Sequence, residues 1–471
     1  MIANIFFGST QETKENLKEI VNPYSNKVVA RYPLCNKEDT LRALHIAQNA
    51  SKATKASTLA QRVAWLEDVA SKLLQQKEDI AKTLCDEVGK PITFARIEVD
   101  RCIETIKISV TAALNLQGHT INTDAMNSGK KTISYYFREP VGVVACITPF
   151  NFPLNLVAHK IAPALAVGNA VVLKPTPEAP LTAYKFAKLF IESPYAIEDA
   201  LSVVYGDVEV GSTLVSSDIP RVLSFTGSVP VGNIITKSAG IKKVALELGG
   251  NAATYIDTSA NLALAANRCV FGAFVNSGQV CISLQRIYVH KDIYDEFAIH
   301  MKTQTQKLVV GSPYEEDTFI GPLINEESLN RAKNWVQSAI DEGAICLTGN
   351  QHQGLNFYPT IMTNVTDSMK IICEEVFAPI VSLVKVSSYN EAVQKMNNSP
   401  YGLQFSIFTN DLIQTKKFID DAQCGGVVIN DIPTLRFDIQ PYGGTKLSGI
   451  GKEGPHFAVE EFTEIKSVVI C

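Results

Sequence analysis

The sequence predicts an α/β fold in which two domains, each built on a parallel sheet, are joined to a small β element. Between Pro140 and Leu246 short β-rich runs alternate with helical stretches, the signature of a parallel sheet covered by helices on both faces. The same alternation resumes after Gly250 and continues to about residue 443. A chain of 471 residues is also too long for one ordinary core.

Before the first alternating segment, residues 1 to about 115 read mainly as helix. Thr40 to Ala50, Leu59 to Gln75 and Ala81 to Val88 carry apolar residues at three- and four-residue spacing, with Gly89 and Pro91 as a stop. A further helix from Phe94 to Leu116 sets Glu98, Arg101 and Glu104 on one face. Gly118 to Arg138 breaks that regime. Asn127-Ser-Gly129 reads as a turn and Thr132 to Phe137 as a strand, so the segment is expected to project as a hairpin. Strands follow at Val141–Ile147, Ala170–Leu173, Ser202–Val204, Arg221–Phe225 and Val244–Leu246, with helices Leu181–Ile191 and Val231–Ala239 between them. Ser467 to Ile470 is a β-prone tail able to pair with the hairpin, in the same or another subunit. The expected organisation is a dinucleotide-binding domain from 1–117 and 140–249, a second α/β domain from 250–443, and a β element for oligomerisation from 118–139 and 456–471.

Composition narrows the function. A net charge of −5 with scattered Lys and Arg gives no basic face for nucleic acid. No run approaches the ~20 apolar residues of a membrane span, and Met1 to Gly8 lacks the basic start of a signal peptide. Ten cysteines without a C-x-x-C pair argue against a disulfide scaffold and point to a reducing, cytoplasmic setting. The seven histidines show no metal-ligand spacing, so no metal site is expected.

Three side chains stand out for chemistry. Cys281 lies in Phe274-Val-Asn-Ser-Gly-Gln-Val-Cys-Ile-Ser283, beyond a Gly-broken helix end and before a β-branched run. A loop thiol can face a cleft, although a cysteine taken alone is more often packing material. Glu247, in Leu246-Glu-Leu-Gly-Gly250, ends a strand, where parallel sheets collect functional groups. Its leucine neighbours would raise its pKa toward that of a general base; a solvated strand-end acid is the plainer use. Asn151 sits between Pro149 and Pro153, fixed either as an oxyanion donor or simply as a turn residue. Lys174 ends a strand within reach of a nucleotide, or is only an exposed charge. Phe225-Thr-Gly-Ser-Val-Pro-Val-Gly232 is a strand, a turn and a helix start able to meet a pyrophosphate. His159, next to Lys160, reads as a structural histidine.

Together Pro149-Phe-Asn-Phe-Pro153, Lys174-Pro175, Phe225-Thr-Gly-Ser228, Leu246-Glu-Leu-Gly-Gly250, Gly278-Gln-Val-Cys281, Glu374-Glu-Val-Phe377 and Tyr442-Gly-Gly444 resemble the aldehyde dehydrogenase superfamily along essentially the whole chain. The resemblance implies a Rossmann-like cofactor domain, an α/β catalytic domain and a bridging β element that builds a homodimer or homotetramer. It implies oxidation of an aldehyde to the acid with NAD or NADP. Cys281 would form the thiohemiacetal and thioester, Asn151 would hold the oxyanion and Glu247 would activate water. The cofactor contacts implied are Thr148, Phe150, Lys174, Gly227, Ser228, Leu248, Glu375 and Phe377.

Two positions depart from the common pattern. Pro177 stands three residues after Lys174, where many strictly NAD-using members carry an acid, so NADP stays open. Val280 precedes the nucleophile, where members acting on anionic aldehydes often carry arginine; Arg101, His159, Arg286 and Arg436 are the candidates to serve instead. Gly278-Gln-Val-Cys-Ile-Ser283 and Asn430-Asp-Ile-Pro433 with Arg436 look most like the lactaldehyde, phosphonoacetaldehyde and non-phosphorylating glyceraldehyde-phosphate branch. The expected substrate is a small polar aldehyde such as lactaldehyde, with semialdehydes and phospho- or phosphonoaldehydes as the alternative.

Overall fold

The structure, a computed structural model, describes all 471 residues. Its first sheet has eight strands in the order Thr10–Glu12, Ile5–Phe7, Leu201–Val203, Ala170–Lys174, Val143–Ile147, Val222–Thr226, Lys243–Glu247 and Gly449–Ile450. The strands from Leu201–Val203 to Lys243–Glu247 are parallel, and antiparallel strands close both edges. From Val143–Ile147 the chain first builds toward one edge and then returns to add Val222–Thr226 on the other side. That reversal opens a crevice beyond the carboxyl ends of the two strands.

Residues 1 to about 115 are mainly helical as expected, but strands that the sequence did not show precede the first helix. Ile5–Phe7 joins the first sheet and Leu17–Val21 pairs with Val28–Pro33 before any helix begins. Ile5-Phe-Phe7 is too short to show a strand period, and of its two partners only Thr10–Glu12 is near in sequence, the other lying nearly two hundred residues away. Helices then span Lys37–Ala56, Leu59–Gln75, Lys77–Val88 and Ile92–Leu114. The first starts ahead of Thr40 because Asn36 and Asp39 form a reciprocal capping box. Helices and first sheet share one core containing Trp65, Leu73 and Ile106 on one side and Val144 and Leu173 on the other.

Lys243–Glu247 ends at Gly249-Gly250 and the chain passes directly into Ala252–Ile256 of a second sheet. This sheet runs Ile345–Thr348, Thr360–Thr363, Ile380–Val386, Leu284–His290, Ala252–Ile256, Gln404–Phe408 and Gly426–Ile429, antiparallel only at its first pair. The carboxyl edge of one sheet therefore meets the amino edge of the other.

The third sheet orders Thr463–Ile470, Ile133–Pro140 and His119–Thr120. Its long pair is formed by the C-terminal strand, from Thr463 opposite Pro140 to Ile470 opposite Ile133, within one chain. The expected hairpin is thus mostly a partnership with the tail; Asn127 to Gly129 leads from a short helical turn instead of joining two long strands. The tail boundary also shifts. Pro455–Glu461 is a helix whose Ala458 and Val459 belong to the first core, so only 463–470 of the 456–471 segment is strand. Proline at its first turn presets the helix there. No helix is long and apolar enough to cross a membrane.

Candidate active site

The helix Leu262–Phe274 stops in a tight turn, Val275–Gly278, in which Asn276, Ser277 and Gly278 all have φ between +53° and +70°. Two consecutive non-glycine residues in this region are strained, and neighbours must hold them. Asn276 Nδ2 donates to the carbonyl oxygens of Asn151 and Gln279, and Ser277 Oγ donates to that of Gly321. A Cβ on Gly278 would lie 2.2 Å from the Ala378 carbonyl oxygen, so only glycine fits. The turn delivers Cys281, only partly covered, into a cavity of about 670 Å³ between the two sheets.

Asn151 enters the cavity from the loop after Val143–Ile147. Its Nδ2 donates one hydrogen bond to the Gln279 carbonyl oxygen at 3.0 Å, leaving the second amide hydrogen. Its own carbonyl oxygen accepts from Lys90 Nζ at 2.8 Å. Lys90 is completely buried and paired with Glu98, whose other oxygen accepts the N–H groups of Leu154 and Asn155. Asn151 is therefore held by a buried ion pair as well as by the two prolines. Of the helix face predicted to carry Glu98, Arg101 and Glu104, the first two line the cavity and Glu104 faces solvent.

Glu247 projects from the end of its strand into the same cavity, 5% exposed and with Oε2 unbonded. Burial, reinforced by the nearby Glu453 carboxylate, pushes its carboxyl well above the usual range. Glu453 moves the opposite way: Lys160 at 2.9 Å and Arg436 at 3.1 Å hold it ionised despite its burial. Burial lifts the Cys281 thiol to about 11, opposed by Tyr442 and by the Arg436 charge. Tyr442 Oη lies 2.8 Å from Cys281 Sγ.

The first-sheet crevice opens into this cavity through Phe150, Gly227, Ser228, Leu248, Glu375 and Phe377. Its residues fit a dinucleotide. Ser228 makes no capping bond at the start of Val229–Ser238, so the N–H groups of that helix end remain available to a pyrophosphate. Glu375 accepts from the Gly250 N–H at 3.0 Å, and a Cβ on Gly249 would stand 2.5 Å from its carboxylate. Burial raises the Glu375 carboxyl to about 7. Thr148 and Lys174 are buried outside the cavity lining, at neighbouring strand ends of the same edge. The Thr148 hydroxyl has no partner, which suits a polar ligand there.

The four candidate substrate residues separate. Arg101 and Arg436 line the cavity and both meet Asp438, Arg101 through two bonds of 2.9 and 2.7 Å. His159 does not reach the cavity. It is fully buried behind it, with Nε2 2.9 Å from Asp438, and burial together with Arg436 lowers its pKa. Arg286 is withdrawn altogether: it points into the second domain and donates to the carbonyl oxygens of Asn251, Lys395 and Met396. Its position within the strand Leu284–His290 turns it away from the thiol, a direction that proximity in sequence does not reveal.

Residues 9–468 match the model of the aldehyde dehydrogenase family. The chain belongs to this family. A 3-sulfolactaldehyde dehydrogenase of Priestia aryabhattai is 41% identical over 467 residues, covering 99% of this chain and 97% of that protein. A lactaldehyde dehydrogenase of Methanococcus aeolicus is 39% identical over 456 residues, covering 96% and 97%. Among solved structures, an NADP-dependent glyceraldehyde-3-phosphate dehydrogenase from Bacillus halodurans C-125, complexed with NADP, superposes with a TM-score of 0.97 at 34% identity, covering 100% and 99% of the two chains.

Several groups around this aldehyde dehydrogenase site escaped the sequence reading. Lys90, Asp438 and Glu453 lie in segments with no motif signal, and only their burial and pairing reveal them. Tyr442 was visible as part of Tyr442-Gly-Gly444, but nothing in the sequence aims its hydroxyl at a sulfur. Around the departure at Pro177, Thr176 and Glu178 are hydrogen-bonded to each other.

Proposed function

We propose that this NAD(P)-dependent aldehyde dehydrogenase oxidises a small polar aldehyde, such as lactaldehyde, with Cys281 as nucleophile, Asn151 as oxyanion donor and Glu247 as hydrolytic base. The observation that carries this reading is the meeting of Cys281, Asn151 and Glu247 in one cavity continuous with the dinucleotide crevice. Cys281 attacks the aldehyde carbonyl as a thiolate. The spare Asn151 amide hydrogen, and the Cys281 N–H, which gives no bond to another backbone carbonyl, receive the oxyanion. A dinucleotide held by Ser228, Glu375 and their neighbours would supply the hydride acceptor. Glu247 then takes a proton from the water that cleaves the Cys281 thioester; its raised pKa brings its basicity closer to that task.

The polar side of the cavity supports a polar substrate. Arg101 and Arg436 offer N–H donors, while their shared Asp438 and the Arg436 partner Glu453 compensate their charge. Donors of this kind suit a hydroxyl next to the aldehyde. An acid group is the second reading, favoured by the sulfonate in the name of the Priestia relative. Reduction of NAD and NADP measured with lactaldehyde, succinate semialdehyde, phosphonoacetaldehyde and benzaldehyde separates these readings. Lactaldehyde is expected to give the highest kcat/KM, and benzaldehyde as the best substrate would overturn the assignment.

The exposed Ile133, Ile465, Val469 and Ile470 on the third sheet support a homodimer or homotetramer built through it. A light-scattering mass of one chain at micromolar concentration would refute that. Ten free thiols support residence in the cytoplasm.

A further inference from the structure

Three features surround the Cys281 thiol: the Sγ contact to Tyr442 Oη at 2.8 Å, the Arg436 guanidinium 3.7 Å from the Tyr442 ring centroid, and the Asp438 and Glu453 carboxylates that lock that guanidinium. Tyr442 is buried, and its ring packs with Val280, Ile282 and Leu403. It has little room to leave the sulfur.

We propose that the Tyr442 hydroxyl is a further member of the catalytic machinery, donating a hydrogen bond to Cys281 Sγ that stabilises the thiolate and aims it into the cavity. The proposal rests on Cys281 being the nucleophile. A thiol is a poor donor and a thiolate only accepts, so once the sulfur ionises the phenol is the sole partner able to give a hydrogen. Burial pushes Tyr442 well above its ordinary pKa, so that hydrogen is retained across the working pH range. A cation on the ring face draws electron density from the phenol and strengthens its O–H as a donor. Arg436 thus acts twice, as a charge near the sulfur and through the ring. No bond is made or broken by Tyr442; the proton lost from Cys281 leaves to solvent.

The groups facing the thiol are Tyr442 and Arg436 on one loop, Glu375 after Lys370–Cys373, and Glu247 at the end of its strand. The carboxylates disfavour the thiolate and the other two favour it, so Tyr442 and Arg436 are the means by which this site offsets burial.

The test is Tyr442→Phe, which keeps the ring and its stack and removes only the hydroxyl. Cys281 alkylation by iodoacetamide is followed against pH by mass spectrometry of the Cys281 peptide, which separates it from the other nine thiols. The inflection is expected to rise by about one unit, giving about tenfold slower alkylation below it. An unchanged or lowered inflection overturns the proposal, even if turnover falls. Cys281→Ser is measured alongside. Retained dehydrogenase activity in that variant would sink the nucleophile assignment itself, whereas a lost activity with an unmoved Tyr442→Phe profile sinks only the role of Tyr442.

Discussion

Glu98→Gln is the sharpest structural perturbation this site offers, because Glu98, through Lys90, holds the backbone of Asn151, the proposed oxyanion donor. Both side chains are fully buried. Removing one partner of such a pair strands the other charge, at a cost of about 3–5 kcal/mol. Glutamine keeps an acceptor oxygen for the Leu154 and Asn155 N–H groups, but those bonds lose their charge assistance, about 1 kcal/mol each. Lys90, already pushed down by burial, can shed its proton and so limit the penalty. With that proton lost, the expected net loss falls from about 5–7 to about 3 kcal/mol, the low end of the cost of breaking a buried pair, read as a lower midpoint of the first urea transition. Lys90→Met combined with Glu98→Gln should recover at least half of it, since no buried charge is then left alone. Lys90 also anchors the Asn151 carbonyl oxygen, so Glu98→Gln should lower kcat about tenfold with little change in aldehyde KM. A single variant within about 0.5 kcal/mol of the parent, or a double variant less stable than the single, would refute the reasoning.

Further outcomes follow from the same geometry. Asn151→Ala removes the proposed oxyanion donor and should lower kcat about 100- to 1000-fold in steady-state NAD(P)H formation. Arg101→Met should raise KM for lactaldehyde about tenfold and leave benzaldehyde unchanged; an equal effect on both would show that Arg101 only supports packing. Pro177→Glu should weaken NADP relative to NAD, measured as the ratio of their kcat/KM values, because a carboxylate there would repel a 2′-phosphate. The carboxyls of Glu87 and Glu375 are raised by burial to about 7. Their folded pKa values exceed the unfolded one, so their contribution to stability is full below about 4.5 and is lost as pH rises toward 7. Glu375→Gln should flatten part of that decline in urea midpoints between pH 4.5 and 7.

The parallel strands of the first sheet were legible because each is a short β-rich run between helices, and their observed limits differ from the reading by a residue or two. The N-terminal strands were not, since Ile5–Phe7 and Thr10–Glu12 have three residues each and join the sheet only through Leu201–Val203, far away in sequence. Loop and strand-end position singled out Cys281, Asn151 and Glu247 only as candidates, the family resemblance gave them roles, and the fold brings them to one cavity. Direction was the missing quantity elsewhere. Arg286 is close to Cys281 in sequence yet turned into the second domain, and His159 sits behind Asp438 instead of facing the cavity. Lys90 lies in the short connection between Lys77–Val88 and Ile92–Leu114 and Glu98 in the second of these helices, and no pattern in the sequence marks the two as a buried pair.

The division of labour between Cys281 and Glu247 is tested most directly by rapid mixing of Glu247→Gln with aldehyde and NAD(P). A burst of close to one reduced nicotinamide per site is expected, then a stall, with the acyl group found on the Cys281 peptide. Cys281→Ser should show no burst. A Glu247→Gln enzyme that lacks the burst, or that turns over at the parent rate after it, would contradict the account.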